Sequence, residues 1–207
     1  MAPKETFARR RLPTILRLLC FVALWMLPIH AEVIAYIYQS GTDVLSSYAG
    51  TINFSDLALI SDAGTTPAFI TAAIATEVFV GTPGGAPVYL GITGPANLGT
   101  GSEMLATTTT GDTFGFAGDS VSELLLPIGY VSGSSISGTD TWDDTSLAGL
   151  GLIAGTYNYT WGTGPNADSV VLNIGFAPVP EPSSLGLMSL AVLALLVFLR
   201  CRRASSV

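Results

Sequence analysis

The sequence predicts a mainly β body, an antiparallel β-sandwich or jelly-roll-like domain, followed by one C-terminal transmembrane helix. Three observations carry this. Residues 32–177 consist of short β-branched and aromatic runs broken by Gly, Pro, Thr and Ser. Charged residues make up only 11% of the chain, against about 25% in an average globular protein. Every Lys and Arg lies at Lys4, Arg9, Arg10, Arg11, Arg17, Arg200, Arg202 or Arg203, so the middle carries 13 of the 15 acids and no cation.

The strands follow in order. "EVIAYIYQ" (32–39) and "DVLSSYAGTINF" (43–54) open the body with β-rich runs. "AFITAAIATEVFV" (68–80) is ambiguous, because its alanines favour helix and its β-branched residues strand. "EVFVG" (77–81) and "PVYLGIT" (87–93) flank "TPGG" (82–85), and this Pro-Gly punctuation predicts a hairpin. "TTTT" (107–110) falls in a Gly/Thr-rich stretch and reads as a mobile loop. "DTFGFAG" (112–118) and "SELLLPIGYVSG" (122–133) are less regular. "DDTSLAGLGL" (143–152) has Thr145 or Ser146 as N-caps, but its glycines limit it to a helical turn or two. "TYNYTW" (156–161) and "SVVLNIGF" (169–176) alternate sides across the turn-rich "GTGPNAD", which predicts a C-terminal hairpin. The chain shows no internal repeat. Even strand spacing points to a sandwich of about one core.

The two ends read as address labels. Lys4, Arg9, Arg10, Arg11 and Arg17 precede the ten-residue apolar run "LLCFVALWML" (18–27), and "PIHA" ends at the small residue Ala31. This is the layout of a secretory signal peptide over 1–31, cut after Ala31, for export by the Sec machinery. An uncleaved anchor is the competing reading. Near the other end, residues 185–199 contain neither charge nor proline, and Arg200, Arg202 and Arg203 follow. Fifteen helical residues span roughly 22 Å, which flanking serines and Arg stems extend towards a core of about 30 Å. The positive-inside rule holds the basic tail 200–207 in the cytoplasm. Both basic ends therefore lie inside and the acidic body outside.

Between body and span, residues 178–184 hold Val179, Pro180, Glu181 and Pro182. Each proline lacks an N–H and pushes its predecessor towards extended geometry. An extended, exposed backbone is what a protease or transpeptidase grips; a plain juxtamembrane linker has the same composition. The order of Pro-Glu-Pro, apolar helix and Arg cluster over 179–203 resembles the PEP-CTERM sorting signal, with Cys201 interrupting the basic cluster as a small departure. The resemblance implies an exported protein of an exopolysaccharide-making Gram-negative bacterium in a biofilm setting. It also implies recognition and removal of the signal by an exosortase, a membrane enzyme with a cysteine nucleophile. Residues 141–175 are similar to a segment often found before that signal, and 43–57 resemble the start of such ectodomains. The segment has no assigned chemistry, so Trp142, Tyr157, Tyr159 and Trp161 are expected to pack the sheets rather than form a ligand platform.

Absent residue types narrow the chemistry. The only His is His30, and Cys20 and Cys201 lie in the terminal segments. The body has no disulfide, and it cannot build a Ser-His-Asp or Cys-His site, a zinc site of the usual ligands or a P-loop. Without cations it disfavours nucleic acid. A carboxylate-pair glycosidase is possible in principle, yet no spacing singles out a pair. Asp140, Asp143 and Asp144 cluster in "DTWDD" and are the weak candidates for calcium; the plain alternative is a solvated acidic loop. "NFS" at Asn53 and "NYT" at Asn158 fit the glycosylation sequon. The expectation is a non-enzymatic surface or matrix protein without a cofactor, partnered by an exosortase and in some settings by exopolysaccharide. An extracellular carbohydrate-binding or carbohydrate-active domain, with or without calcium, is the alternative.

Overall fold

The computed structural model describes residues 32–73, 76–118 and 122–179. The signal segment with Ala31, the motif residues Pro180, Glu181 and Pro182, the apolar run 185–199 and Arg200, Arg202 and Arg203 lie outside the described residues. In chain order the strands are β1 (Glu32–Ser40), β2 (Asp43–Thr51), β3 (Ala58–Thr66), β4 (Phe69–Thr71), β5 (Glu77–Val80), β6 (Gly84–Leu90), β7 (Met104–Leu105), β8 (Thr108–Gly111), β9 (Phe114–Ala117), β10 (Glu123–Leu125), β11 (Ser135–Trp142), β12 (Gly155–Trp161) and β13 (Asp168–Ile174). Among the described residues there is no α-helix, and no helix is long and apolar enough to cross a membrane.

The strands form a six-stranded sheet of order β12-β13-β1-β2-β11-β8 and a seven-stranded sheet of order β3-β6-β10-β9-β5-β4-β7. Period-two alternation explains how they pack. Val33, Ala35 and Ile37 of β1 and Val170, Leu172 and Ile174 of β13 point inward, and so do Val78 and Val80 of β5 and Phe114 and Phe116 of β9; all belong to one buried cluster. Side chains from both sheets thus share one core, which is the construction of a β-sandwich. Each fully buried Leu, Ile or Phe contributes roughly 1.5–3 kcal/mol of transfer free energy. A second, smaller cluster of Phe69, Phe79, Ala86, Val88 and Leu125 is separate from the main core. Gly115 makes it possible, since a Cβ there would lie 2.1 Å from the Phe79 ring.

The C-terminal hairpin is as the alternation predicts: β12 pairs antiparallel with β13, from Gly155 opposite Ile174 to Trp161 opposite Asp168. Residues 143–152 make turns, with Ser146 Oγ accepting from Gly149 N at 3.0 Å and Leu150 N reaching Ser146 O at 2.9 Å. Trp142, Tyr159 and Trp161 are buried in the main core, with Tyr157 half-buried against it. The ambiguous segment 68–80 yields two strands, β4 and β5, paired antiparallel.

Three expectations are corrected. The sandwich is not wholly antiparallel, because β1 and β13, the first and last strands, pair in parallel. The hairpin across "TPGG" does not exist: β5 pairs with β4 and β9, while β6 pairs with β3 and β10. Gly84 and Gly85 join β6 opposite Thr66 and Thr65, so the turn signal marks a change of strand position and not a reversal onto the neighbour. The threonine run is not a loop, since Thr108–Gly111 is edge strand β8 paired with β11. Threonine is β-branched and suits a pleated edge, and Thr110 Oγ1 meets Thr139 Oγ1 at 2.8 Å across the pair.

Candidate functional site

The sorting segment grows directly out of the last strand. β13 ends at Ile174, and Gly175 N donates to Ile37 O at 2.8 Å, extending the β1 pairing by one step. Gly175 has φ +88 and its missing Cβ would lie 2.9 Å from the Ala154 Cβ, so the chain turns there where a side chain would clash. Phe176 and Val179 are exposed, at 54% and 80%. Pro178 and Val179 come to rest beside the outward face of the six-stranded sheet. There they line a groove of about 570 Å³ with Ile34 and Tyr36 of β1, Ser47 and Ala49 of β2, and Ser137 and Thr139 of β11.

Register explains that grouping. Ile34 pairs with Ala49 and Tyr36 with Ser47, while Ala49 pairs with Ser137 and Ser47 with Thr139. These residues alternate with the buried set of each strand and so share the outer face. Gly138 and Gly111 face each other between β11 and β8. A Cβ on Gly138 would lie 2.2 Å from the Tyr48 hydroxyl, so the missing side chain makes room for the Tyr48 phenol on the buried face beneath the groove. That hydroxyl donates to the Asp112 carbonyl. Burial, with the negative charges of Asp140 and Asp112 behind it, pushes the Tyr48 phenol far above its usual range.

The three aspartates considered for calcium are not brought together. Asp140 is buried, its Oδ2 accepting from Ser46 Oγ at 2.7 Å and its Oδ1 from Gly81 N at 2.9 Å. This carboxylate therefore ties β11 and β2 to the start of the β5–β6 connection. Burial raises its pKa, opposed by the hydrogen bonds from Ser46 and Gly81. Asp143 and Asp144 are exposed in the turn that follows; Asp143 N donates to Thr107 Oγ1 at 3.1 Å and Asp144 N to Asp43 Oδ1 at 2.9 Å. Among the described residues no group of three or more His, Cys, Asp or Glu is placed to hold a metal ion. Of the sequons, Asn158 is exposed on β12, whereas Asn53 Oδ1 already accepts from Ser55 N and Ser132 Oγ, each at 3.1 Å.

Of the motif residues, Val179 is placed by the structure, and Pro180, Glu181 and Pro182 lie beyond it. The groove went unforeseen because its residues come from four strands whose order the chain does not announce. The outward positions of 32–39 and of 43–54 are visible as alternation, but not that they share a rung.

β13 leads from Ile174 into an exposed segment that includes Phe176, Pro178 and Val179. Residues 178–203 match the family model of the PEP-CTERM protein-sorting motif. The chain thus carries a sorting signal that marks an exported protein directed to an exosortase, a membrane enzyme of Gram-negative bacteria. Among curated proteins and among solved structures no match to the chain is found.

Proposed function

We propose that the chain is a non-enzymatic protein of the cell surface or of an exopolysaccharide matrix. Residues 1–31 carry it through the Sec machinery and are cut after Ala31. The span 185–199 holds it at the inner membrane, with Arg200, Arg202 and Arg203 inside. The exosortase then removes the tail at the segment Val179, Pro180, Glu181 and Pro182.

The observation that carries this reading is the match over 178–203, set at the end of a folded body. The geometry supports it: Val179 is exposed, so the motif begins clear of the core. A non-enzymatic role is supported by the residue types in 32–179, which include no His, Cys, Lys or Arg. The buried carboxylate Asp140 is also engaged by two donors rather than facing a cleft.

The test is mass spectrometry of the C-terminus of the native surface protein, in cells with and without the exosortase. The expected result is loss of Cys201 and all that follows it in the first strain, and an intact tail in the second. Glu181→Ala should leave the tail in place with the exosortase present. Recovery of Cys201 in the mature surface form overturns the reading.

A further inference from the structure

The outer-face groove combines two kinds of surface. Ile34, Ala49, Pro178 and the ring of half-buried Tyr36 are apolar, and Ser47, Ser137 and Thr139 add hydroxyls among them. Its volume of about 570 Å³ lies within the roughly 300–1,000 Å³ of small-ligand sites. Among the described residues no charged side chain lines it.

These features select the ligand class. A sugar ring offers a C–H face that stacks on an aromatic ring and hydroxyls around its rim, which matches an apolar floor set with hydroxyls. A peptide laid over β1, β2 and β11 finds no backbone to pair with; the free edge of this sheet beside the groove is β8. The backbone groups of β1, β2 and β11 are already used in ladders on both sides of each strand, and strand addition needs a free edge. Anionic ligands are disfavoured by charge, because residues 32–177 hold 13 acids and no Lys or Arg.

We propose that this groove binds a neutral polysaccharide, with Tyr36 as the stacking ring and Ser47, Ser137 and Thr139 as hydrogen-bonding partners. The site gives a residue-level basis to the matrix role and rests on the domain lying outside the cell. Pro178 and Val179 form one wall, so the processing segment and the binding site adjoin.

The test is affinity electrophoresis of the full chain in a zwitterionic detergent, in native gels containing dextran, hydroxyethyl cellulose, laminarin or alginate. At least one of the three neutral polymers should retard the protein, and anionic alginate should not. Tyr36→Ala and Thr139→Trp should each weaken retention about tenfold or more, while Asn158→Trp, outside the groove on β12, leaves it unchanged. Thr139 is exposed, so its variant keeps the test open if Tyr36→Ala lowers folding; thermal melts of each variant report this. Retardation by none of the neutral polymers, by alginate alone, or undiminished in both groove variants overturns the proposal. The C-terminal mass of the same protein reports processing separately, so failure of the groove and failure of the sorting reading are told apart.

Discussion

Asp140 and Ser46, 94 residues apart in the chain, meet inside the sandwich through a 2.7 Å hydrogen bond from the serine hydroxyl to the carboxylate. The second carboxylate oxygen accepts from Gly81 N at 2.9 Å. The domain has no cation to pair with this acid, so neutral donors alone offset the cost of burying it.

The pH dependence follows from that environment. Burial raises the Asp140 pKa, so the folded protein holds this proton more tightly than the unfolded chain. The group's stabilising contribution is fully present below the unfolded value of about 3.9 and is lost as pH rises through the raised folded value. Asp140→Asn mimics the protonated form. Its melting temperature should equal or exceed wild type at pH 7 and converge with it near pH 3.5, by differential scanning calorimetry. Asp140→Ala strands the Ser46 hydroxyl and the Gly81 N–H and should cost roughly 1–3 kcal/mol for each buried group left unpaired.

Chelation should leave the melting midpoint unchanged. Calcium takes about six to eight oxygen ligands, and Asp140 faces the interior while Asp143 and Asp144 are exposed beyond it. A thermal melt with excess EDTA checks this; a fall in the midpoint would show a bound ion that these carboxylates do not explain.

Gly138→Ala should be strongly destabilising despite its small size. The new methyl would meet the Tyr48 hydroxyl at 2.2 Å and the Thr110 carbonyl at 2.4 Å, and the second is backbone that cannot swing away. Overpacking of this kind costs about 1–3 kcal/mol or more. Tyr48→Phe should relieve part of it in the double variant, measured by urea unfolding, because the two sites share one contact.

Trypsin should not cut the mature body under any condition. No Lys or Arg lies between Arg17 and Arg200, so even the urea-unfolded domain offers no bond. Chymotrypsin should trim the folded body at the exposed Phe176 and cut within the core strands only once it is unfolded, since Phe114, Phe116, Tyr159 and Trp161 are buried. Gel electrophoresis before and after denaturation gives the contrast.

Local patterns were legible in the chain where they act locally. Residues 156–161 and 169–176 alternate and are joined by a short turn-rich link, so both strands and their pairing follow from neighbouring residues. The strand 32–39 is equally visible, but its partner 169–174 is not, because parallel pairing over such a distance leaves no mark in either segment. "TPGG" misled for a related reason: a turn fixes a change of direction and says nothing about which strand lies alongside. The threonine run needed Thr139 across from Thr110 to become an edge strand. The sorting motif needed no fold at all to be recognised, since its prolines, apolar run and arginines act in sequence order.

The parallel pairing of β1 with β13 also sets how the body resists pulling. Val33 lies opposite Val170 and Ile37 opposite Ile174, so the two chain ends depart from opposite ends of adjacent strands. Tension between those ends acts along the strands, and the registered rungs must slide together instead of peeling one after another. A body gripped through its last strand is thereby built to bear shear.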